Sequence, residues 1–266
     1  MRLTISHTTR YSFDAPVDYG LQRLRLTPKS RANQTVLSWQ TRIEGGREVL
    51  SYEDQHMNAV QLVVLEPGVT EAVIHCEGEV ETTDTHGILG PHHGYIPMWL
   101  FTRQTELTRP GQRVRALLRD LDDDAPELDR LHALSALIRK RVPYRKGATD
   151  VSHTAEDVLA AGHGVCQDHA HVFLSAARAL GHPARYVSGY LQLVDRVEQE
   201  AGHAWAEAHV EGLGWIGFDI SNGISPDDRY VRVATGLDYR GAAPVSGVRY
   251  GSGSESLSVQ LSVADQ

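Results

Sequence analysis

Apolar and polar residues alternate in short runs through the first 105 residues, and this two-residue period constrains the fold more than any other feature. Leu3, Ile5 and Phe13 occupy odd positions among polar residues, and Val60–Val64 repeats the alternation. Successive side chains of a strand point to opposite faces, so a period of two indicates strands with one buried face. Because these runs are short and separated by Gly, Pro, Asn and Asp, they predict an antiparallel β-sandwich over residues 1–105.

The pattern changes after residue 105, where apolar residues begin to recur at helical spacing. Three helices are predicted, over residues 128–142, between Thr154 and Gly162, and from Cys166 to Leu180. Strand patterns then return over residues 185–194, 203–211, 215–220, 230–233 and 257–263. Helices packed beside an antiparallel sheet form an α+β domain, so residues 106–266 are predicted to be a second domain of that class.

Composition and charge limit the classes of partner and the cellular compartment that we expect for this chain. The chain is 41% hydrophobic and 23% charged, which is typical of a globular protein. Its formal net charge is -8 and it has no basic cluster, so neither nucleic acid nor a membrane surface is expected as a partner. The start lacks the apolar run of a signal peptide, and no stretch approaches about 20 apolar residues. We therefore expect a cytoplasmic location.

The chain has only two cysteines, too few for a disulfide scaffold or a four-cysteine zinc site. Cys76 lies on the apolar face of a predicted strand and is expected to be inert. Cys166 begins a predicted helix, where free backbone N–H groups and the helix dipole stabilise a thiolate relative to a thiol. The thiolate is the nucleophilic form, and the N–H of Cys166 itself can help to bind an oxyanion.

A nucleophilic cysteine needs a base and a group that orients the base. His203 begins one predicted strand, and Asp219 ends the next one along the chain. With Cys166 they would form a Cys–His–Asp triad, in which the aspartate holds one ring nitrogen and favours the imidazolium that pairs with the thiolate.

The predicted strand register leaves the third member of this triad open. A tight turn between the two strands would pair Asp219 with Ala206 or Glu207. That position is too far from His203 unless the strand end twists, bulges or curls. Asn222 falls nearer to His203 in this register. Counting alone therefore leaves Asp219 and Asn222 as alternatives.

Four segments, taken in order, resemble proteins of the transglutaminase-like superfamily: Gly164–Asp168, Ala179–Leu191, His203–Trp205 and Gly214–Asp219. The chain is most similar to the bacterial group in which a β-rich N-terminal domain precedes the core, and the similarity covers nearly its whole length. The resemblance implies a papain-like α+β core with the cysteine on a helix and its partners on a sheet. It also implies Cys166 as nucleophile, His203 as base, and Asp219 rather than Asn222 as the orienting acid.

Two positions depart from the pattern of this family. Asp219 is followed by Ile-Ser-Asn, where members commonly have Pro-Thr-Asn, and His169 stands where an apolar residue is usual. Both departures retain the three residues of the triad, and both are expected to alter the pocket around it.

Together, the residues and the resemblance predict a cysteine-dependent acyl-transfer enzyme. Cys166 would attack a peptide or glutamine-type amide carbon and form a thioester, with no metal or organic cofactor. Hydrolysis of a protein or peptide substrate is favoured, because water is always available unless a site excludes it. The alternatives are a protein-glutamine transglutaminase with an amine acceptor and a non-catalytic protein-binding module that retains the fold.

Overall fold

The computed structural model describes residues 1–147, 149–194 and 196–265. Strands dominate the first part of the chain, as the alternation predicts. They are β1 (Arg2–Phe13), β2 (Tyr19–Thr27), β3 (Gln34–Glu44), β4 (Gly46–Glu53), β5 (Ala59–Leu65), β6 (Glu71–Thr82) and β7 (Ile88–Gly90).

Helices follow, and three of them confirm the predicted helical segments. A short 3-10 turn (Met98–Thr102) precedes α1 (Gln112–Leu118), α2 (Glu127–Arg141), α3 (Ala155–Ala161) and α4 (Cys166–Ala179). Thr154 caps α3 by accepting the N–H of Asp157, and Gly162 ends it in the left-handed region at φ 68°. Within the described ranges, no helix has the length and apolar character needed to cross a membrane.

The last part of the chain returns to strands. These elements are β8 (Ala184–Leu191), β9 (Glu198–Gln199), β10 (His203–Val210), β11 (Gly214–Phe218), β12 (Tyr230–Gly236), α5 (Tyr239–Ala242), β13 (Val245–Tyr250) and β14 (Glu255–Asp265). Of these, β9 and β13 were not among the predicted strands, and neither were β4 and β7 in the first part of the chain, because their apolar patterns are too short or too polar to indicate a strand.

The described strands assemble into three antiparallel sheets. The first has the order β3-β6-β1-β14-β9, the second β13-β2-β5-β4, and the third β12-β8-β10-β11-β7. Mostly antiparallel sheets with helices beside one of them agree with the predicted α+β class. The third sheet carries α4 on the face formed by Ala204, Ala206 and Ala208, whose small side chains let the helix pack closely against β10.

Both ends of the chain meet in the first two sheets. β14 pairs with β1 from Leu3 opposite Asp265 to Phe13 opposite Glu255, and β13 pairs with β2. In the other direction, β7 leaves the N-terminal part to pair with β11 in the third sheet. The predicted domain boundary between residues 105 and 106 stays a prediction. Strands cross it in both directions: β13 and β14 join sheets built from N-terminal strands, and β7 joins the sheet built from C-terminal strands.

An apolar cluster joins the first sheet to the third. It combines buried residues of β1, β6 and β14 with residues of β8 and β12: Leu3, Ile5, Val80, Tyr190, Val231, Val233, Leu261 and Val263. Burial of this apolar surface holds the N-terminal strands against the sheet that carries His203.

Replacing Leu261 with alanine tests the contribution of β14 to this contact. Leu261 is 1% exposed, so Leu261→Ala should lower the free energy of unfolding by about 2–5 kcal/mol. Leu257→Ala is the matched control, because Leu257 lies on the same strand and is 56% exposed. It should change stability by less than about 0.5 kcal/mol in the same urea titrations. Equal losses from the two variants would contradict the packing described.

Candidate active site

Cys166 is the first residue of α4, as predicted, and the backbone before it is firmly held. The carboxylate of Asp168 accepts the N–H of Val165 at 2.8 Å and the hydroxyl of Thr149 at 2.6 Å. Gly164 permits this close turn, since a Cβ at Gly164 would lie 2.7 Å from the Asp168 side chain. Cys166 is only partly buried, so its thiol sits at a helix start that a substrate can reach.

His203 links Cys166 to Asp219. Its Nε2–H donates to Oδ2 of Asp219 at 2.6 Å, which leaves Nδ1 for the thiol. Burial by itself lowers the pKa of His203. The negative charge of Cys166 and hydrogen bonds to Asp219 and Cys166 outweigh burial and raise that pKa to about 10. These contacts therefore favour the imidazolium form of His203.

Asp219 is wholly buried and receives several donors besides His203. The Tyr230 hydroxyl and the Asn222 side-chain amide each donate to Oδ2 at 2.7 Å, and the Asn222 N–H donates to Oδ1 at 3.2 Å. Burial raises the pKa of Asp219, but the bonds from His203, Tyr230 and Asn222 prevail and lower it. Asp219 therefore stays a carboxylate although its side chain is fully buried.

The predicted register of β10 and β11 was wrong by one or two residues. Ala206 pairs with Phe218, so continuing the ladder would place Asp219 opposite Trp205. Instead the chain curls at the end of β11, where the Asp219 N–H donates to the carbonyl of Ile224 at 2.9 Å. This curled end brings Asp219 to His203. Asn222, the alternative from counting, bonds to Asp219 rather than replacing it.

Sequence reasoning missed Tyr230 as a member of this site. It recognised the residue only as the start of a strand. The tyrosine follows a polar Asp-Asp-Arg segment on the strand beside β8, and its ring lies 6.0 Å from that of His203. Burial and the charge of Asp219 raise the pKa of Tyr230, which keeps its hydroxyl protonated as a donor.

The two departures from the family pattern contact each other beside Cys166. Nε2 of His169 donates to the carbonyl of Val142 at 2.7 Å, so Nδ1 accepts the hydroxyl of Ser221 at 2.7 Å. Burial lowers the pKa of His169, which agrees with a neutral ring between these partners. This bond ties α4 to the turn after Asp219, and His169 is a structural residue.

The remaining candidate side chains have structural surroundings. Cys76 is fully buried in an apolar cluster, as predicted, and burial raises the pKa of its thiol to about 11. Glu207, also fully buried, pairs with Arg185 at 2.5 Å and with Arg232 at 2.8 Å. In the described part of the chain, no group of three His, Cys, Asp or Glu side chains is arranged to hold a metal ion.

A cleft of about 1000 Å³ opens onto Cys166 and His203. Tyr144 and Gln167 line it near the thiol, whereas Asp219 does not line it. A second cavity of about 350 Å³ lies beside α2 and reaches neither Cys166 nor His203. The large cleft is therefore the candidate binding site, because it alone of these two cavities is lined by Cys166 and His203.

Two family models match the chain. One, described as the transglutaminase-like superfamily, matches residues 115–220, and the other, described as the bacterial transglutaminase-like N-terminal region, matches residues 3–81. Together they cover more than half of the chain.

Sequence relatives and a solved structure extend the similarity. An uncharacterized protein of Mycobacterium leprae is 28% identical over 98% of each chain. Another from Mycobacterium bovis is 36% identical over 52% of this chain and 47% of its own, so that alignment spans about half of the relative. The crystal structure of a candidate cysteine protease from Cytophaga hutchinsonii has a TM-score of 0.80 at 21% identity, covering 100% of this chain and 91% of that one. This likeness shows the fold.

Histidine NMR can test the link between His203 and Cys166. In the wild-type protein the His203 ring should titrate near pH 10. Cys166→Ala should move its midpoint to lower pH, because the charge of Cys166 is the largest influence that raises this pKa. Cys76→Ala removes the other cysteine, which is not among the groups that shift the pKa of His203, and should leave the midpoint unchanged. A midpoint that does not respond to Cys166→Ala would contradict the pairing.

Proposed function

The chain belongs to the transglutaminase-like superfamily, and from that premise we propose that it is a cysteine-dependent acyl-transfer enzyme. In this proposal Cys166 is the nucleophile, His203 the general base and acid, and Asp219 the residue that orients His203. One observation carries it: His203 lies between a partly exposed cysteine and a buried carboxylate, and both neighbours raise its pKa.

The reaction would begin with attack of the Cys166 thiolate on an amide carbon. The carbonyl oxygen becomes an oxyanion, to which the N–H of Cys166 at the start of α4 can donate. His203 then gives its proton from Nδ1 to the departing amine as the C–N bond breaks, leaving a thioester and a neutral ring. Asp219 holds Nε2–H throughout, so Nδ1 is the nitrogen that exchanges the proton.

Release of the acyl group would reverse these roles. His203 accepts a proton from water at Nδ1, and the resulting hydroxide oxygen bonds to the thioester carbon. The carbon–sulfur bond breaks, which frees a carboxylic acid and restores the thiolate beside the imidazolium. We propose water as the acceptor because Cys166 is partly exposed in a cleft of about 1000 Å³. An amine in place of water would make the enzyme a transglutaminase.

The two sheets that hold the chain ends would act as a β-sandwich, and the third sheet with its helices as a papain-like core. The substrate would be a protein or peptide in the cytoplasm. The proposed chemistry uses only the side chains named and requires no metal or organic cofactor.

Mass spectrometry of a peptide mixture tests the reaction type. Wild-type protein and Cys166→Ala are incubated with the mixture, with and without added methylamine. We expect cleaved or deamidated peptides from the wild type alone, because only the thiolate can form the thioester. Methylamine adducts would assign the transferase reaction instead. A wild-type product profile identical to that of Cys166→Ala would overturn the enzyme proposal in favour of a binding module.

Alkylation with iodoacetamide at pH 6.5 tests the thiolate independently of any substrate. Cys166 should react at least about tenfold more slowly in His203→Ala, since losing a favourable interaction worth about 1.4 kcal/mol shifts an equilibrium tenfold. Cys76 provides an internal control, because its buried thiol should remain unmodified in the folded protein. Equal Cys166 rates in wild type and His203→Ala would exclude an activating role for His203.

A further inference from the structure

The cleft at Cys166 extends well beyond the reactive side chains. Its far end reaches the first two sheets, which hold both ends of the chain. We call this part the apolar end and define it by the residues that line it there: Tyr11, Leu26, Val245, Leu257 and Val259. Tyr11 lies on β1, and Leu257 and Val259 lie on β14, in the first sheet. Leu26 lies on β2 and Val245 begins β13, the edge strand of the second sheet.

A continuous path connects His203 to the apolar end. His203 pairs with Gly189 across the third sheet, and the hydroxyl of the next residue, Tyr190, hydrogen-bonds Nδ1 of His7 at 2.9 Å. From His7 the lining continues along one face of β1 through Thr9 to Tyr11. The four steps along the strand from His7 to Tyr11 span about 13 Å, a distance that about four residues of an extended peptide would also cover.

The apolar end differs in chemistry from the rest of the cleft. Tyr11 and Leu26 are buried parts of the apolar core between the two sheets, whereas Leu257 is 56% exposed at the rim. The cleft is also lined by four charged side chains, those of Lys146, Arg196, Glu198 and Glu200, of which Glu198 lies on β9 beside β14. Arg25 also lines the cleft, but it is buried in an ion pair with Asp54 at 3.0 Å. An exposed leucine beside an apolar recess is typical of a binding surface.

We propose that the apolar end binds an apolar side chain of the peptide substrate, several residues away from the amide that Cys166 attacks. The inference rests on the proposed function, because continuity with Cys166 and His203 identifies the occupant as part of the same substrate. It gives the N-terminal strands and the returning β14 a role in substrate selection. The reactive groups would supply the chemistry, and the two sheets would supply specificity.

Methyl NMR tests binding without requiring turnover. Cys166→Ala protein, labelled at Leu and Val methyl groups, is titrated with an acetylated six-residue peptide of glycine and serine that contains two leucines. Methyl signals of Leu257, Val259 and Val245 should shift, whereas Val248, which is 67% exposed and does not line the cleft, should not. The same peptide with both leucines replaced by aspartate should cause no shift at the apolar end. Absent or equal shifts with the two peptides would overturn the proposal.

Product profiling of two matched variants tests selection. Leu257→Asp and Val248→Asp each place a carboxylate at an exposed apolar position, on β14 and β13 respectively, but only Leu257 lines the cleft. Circular dichroism confirms that each variant folds. Wild type and Val248→Asp should prefer peptides with an apolar residue at one fixed distance from the reacting amide. Leu257→Asp should lower kcat/KM for those peptides about tenfold and leave kcat/KM for peptides lacking that residue unchanged.

The two measurements separate this inference from the proposed function. An apolar preference retained by Leu257→Asp would overturn the inference while the enzyme proposal stands. If no variant forms any product, the enzyme proposal fails, and the methyl shifts alone then decide whether the apolar end binds apolar side chains.

Discussion

The buried carboxylate of Asp219 is the constraint on which the arrangement of the site depends. Removing a carboxylate from water costs several kcal/mol unless donors replace the lost hydration. Here the donors come from three places in the chain: His203 on β10, Asn222 in the turn after β11, and Tyr230 on β12. The charge of Asp219 is tolerated only where these segments converge. The third sheet and the curled end of β11 are therefore required for the pairing of Asp219 with His203.

His203 transmits the effect of that carboxylate to Cys166. Because Asp219 occupies Nε2, the ring presents Nδ1 to the thiol, and the contacts with Asp219 and Cys166 favour its imidazolium form. The helix start at Cys166 is held separately, through Asp168 and the turn at Gly164. The bond between His169 and Ser221 then connects α4 to the turn that carries Asn222. Polar contacts of buried and partly buried groups thus hold the two halves of the site next to each other.

Particular residues show how far sequence reasoning reached. The helix beginning at Cys166 was predictable because glycines and apolar spacing act over a few neighbouring residues. The strand that begins at His203 was predictable from alternation. The position of Asp219 was not, since a small error in the turn shifts every pairing along the ladder and the curl after Phe218 leaves no periodic signal. Tyr230 was missed for a related reason: a bond between residues 11 positions apart depends on which strands are neighbours.

By itself, the sequence determined the local elements, the class of the fold and the residue types able to perform acyl transfer, because periodicity, caps and helix-start chemistry are short-range properties. The tertiary structure decided which of those residues meet. It brought Asp219 and Asn222 together rather than leaving them as alternatives, and it returned β14 to β1, so that both chain ends line the cleft beside Cys166. Such contacts depend on long-range strand pairing and on the need to satisfy buried charge, neither of which a local pattern encodes.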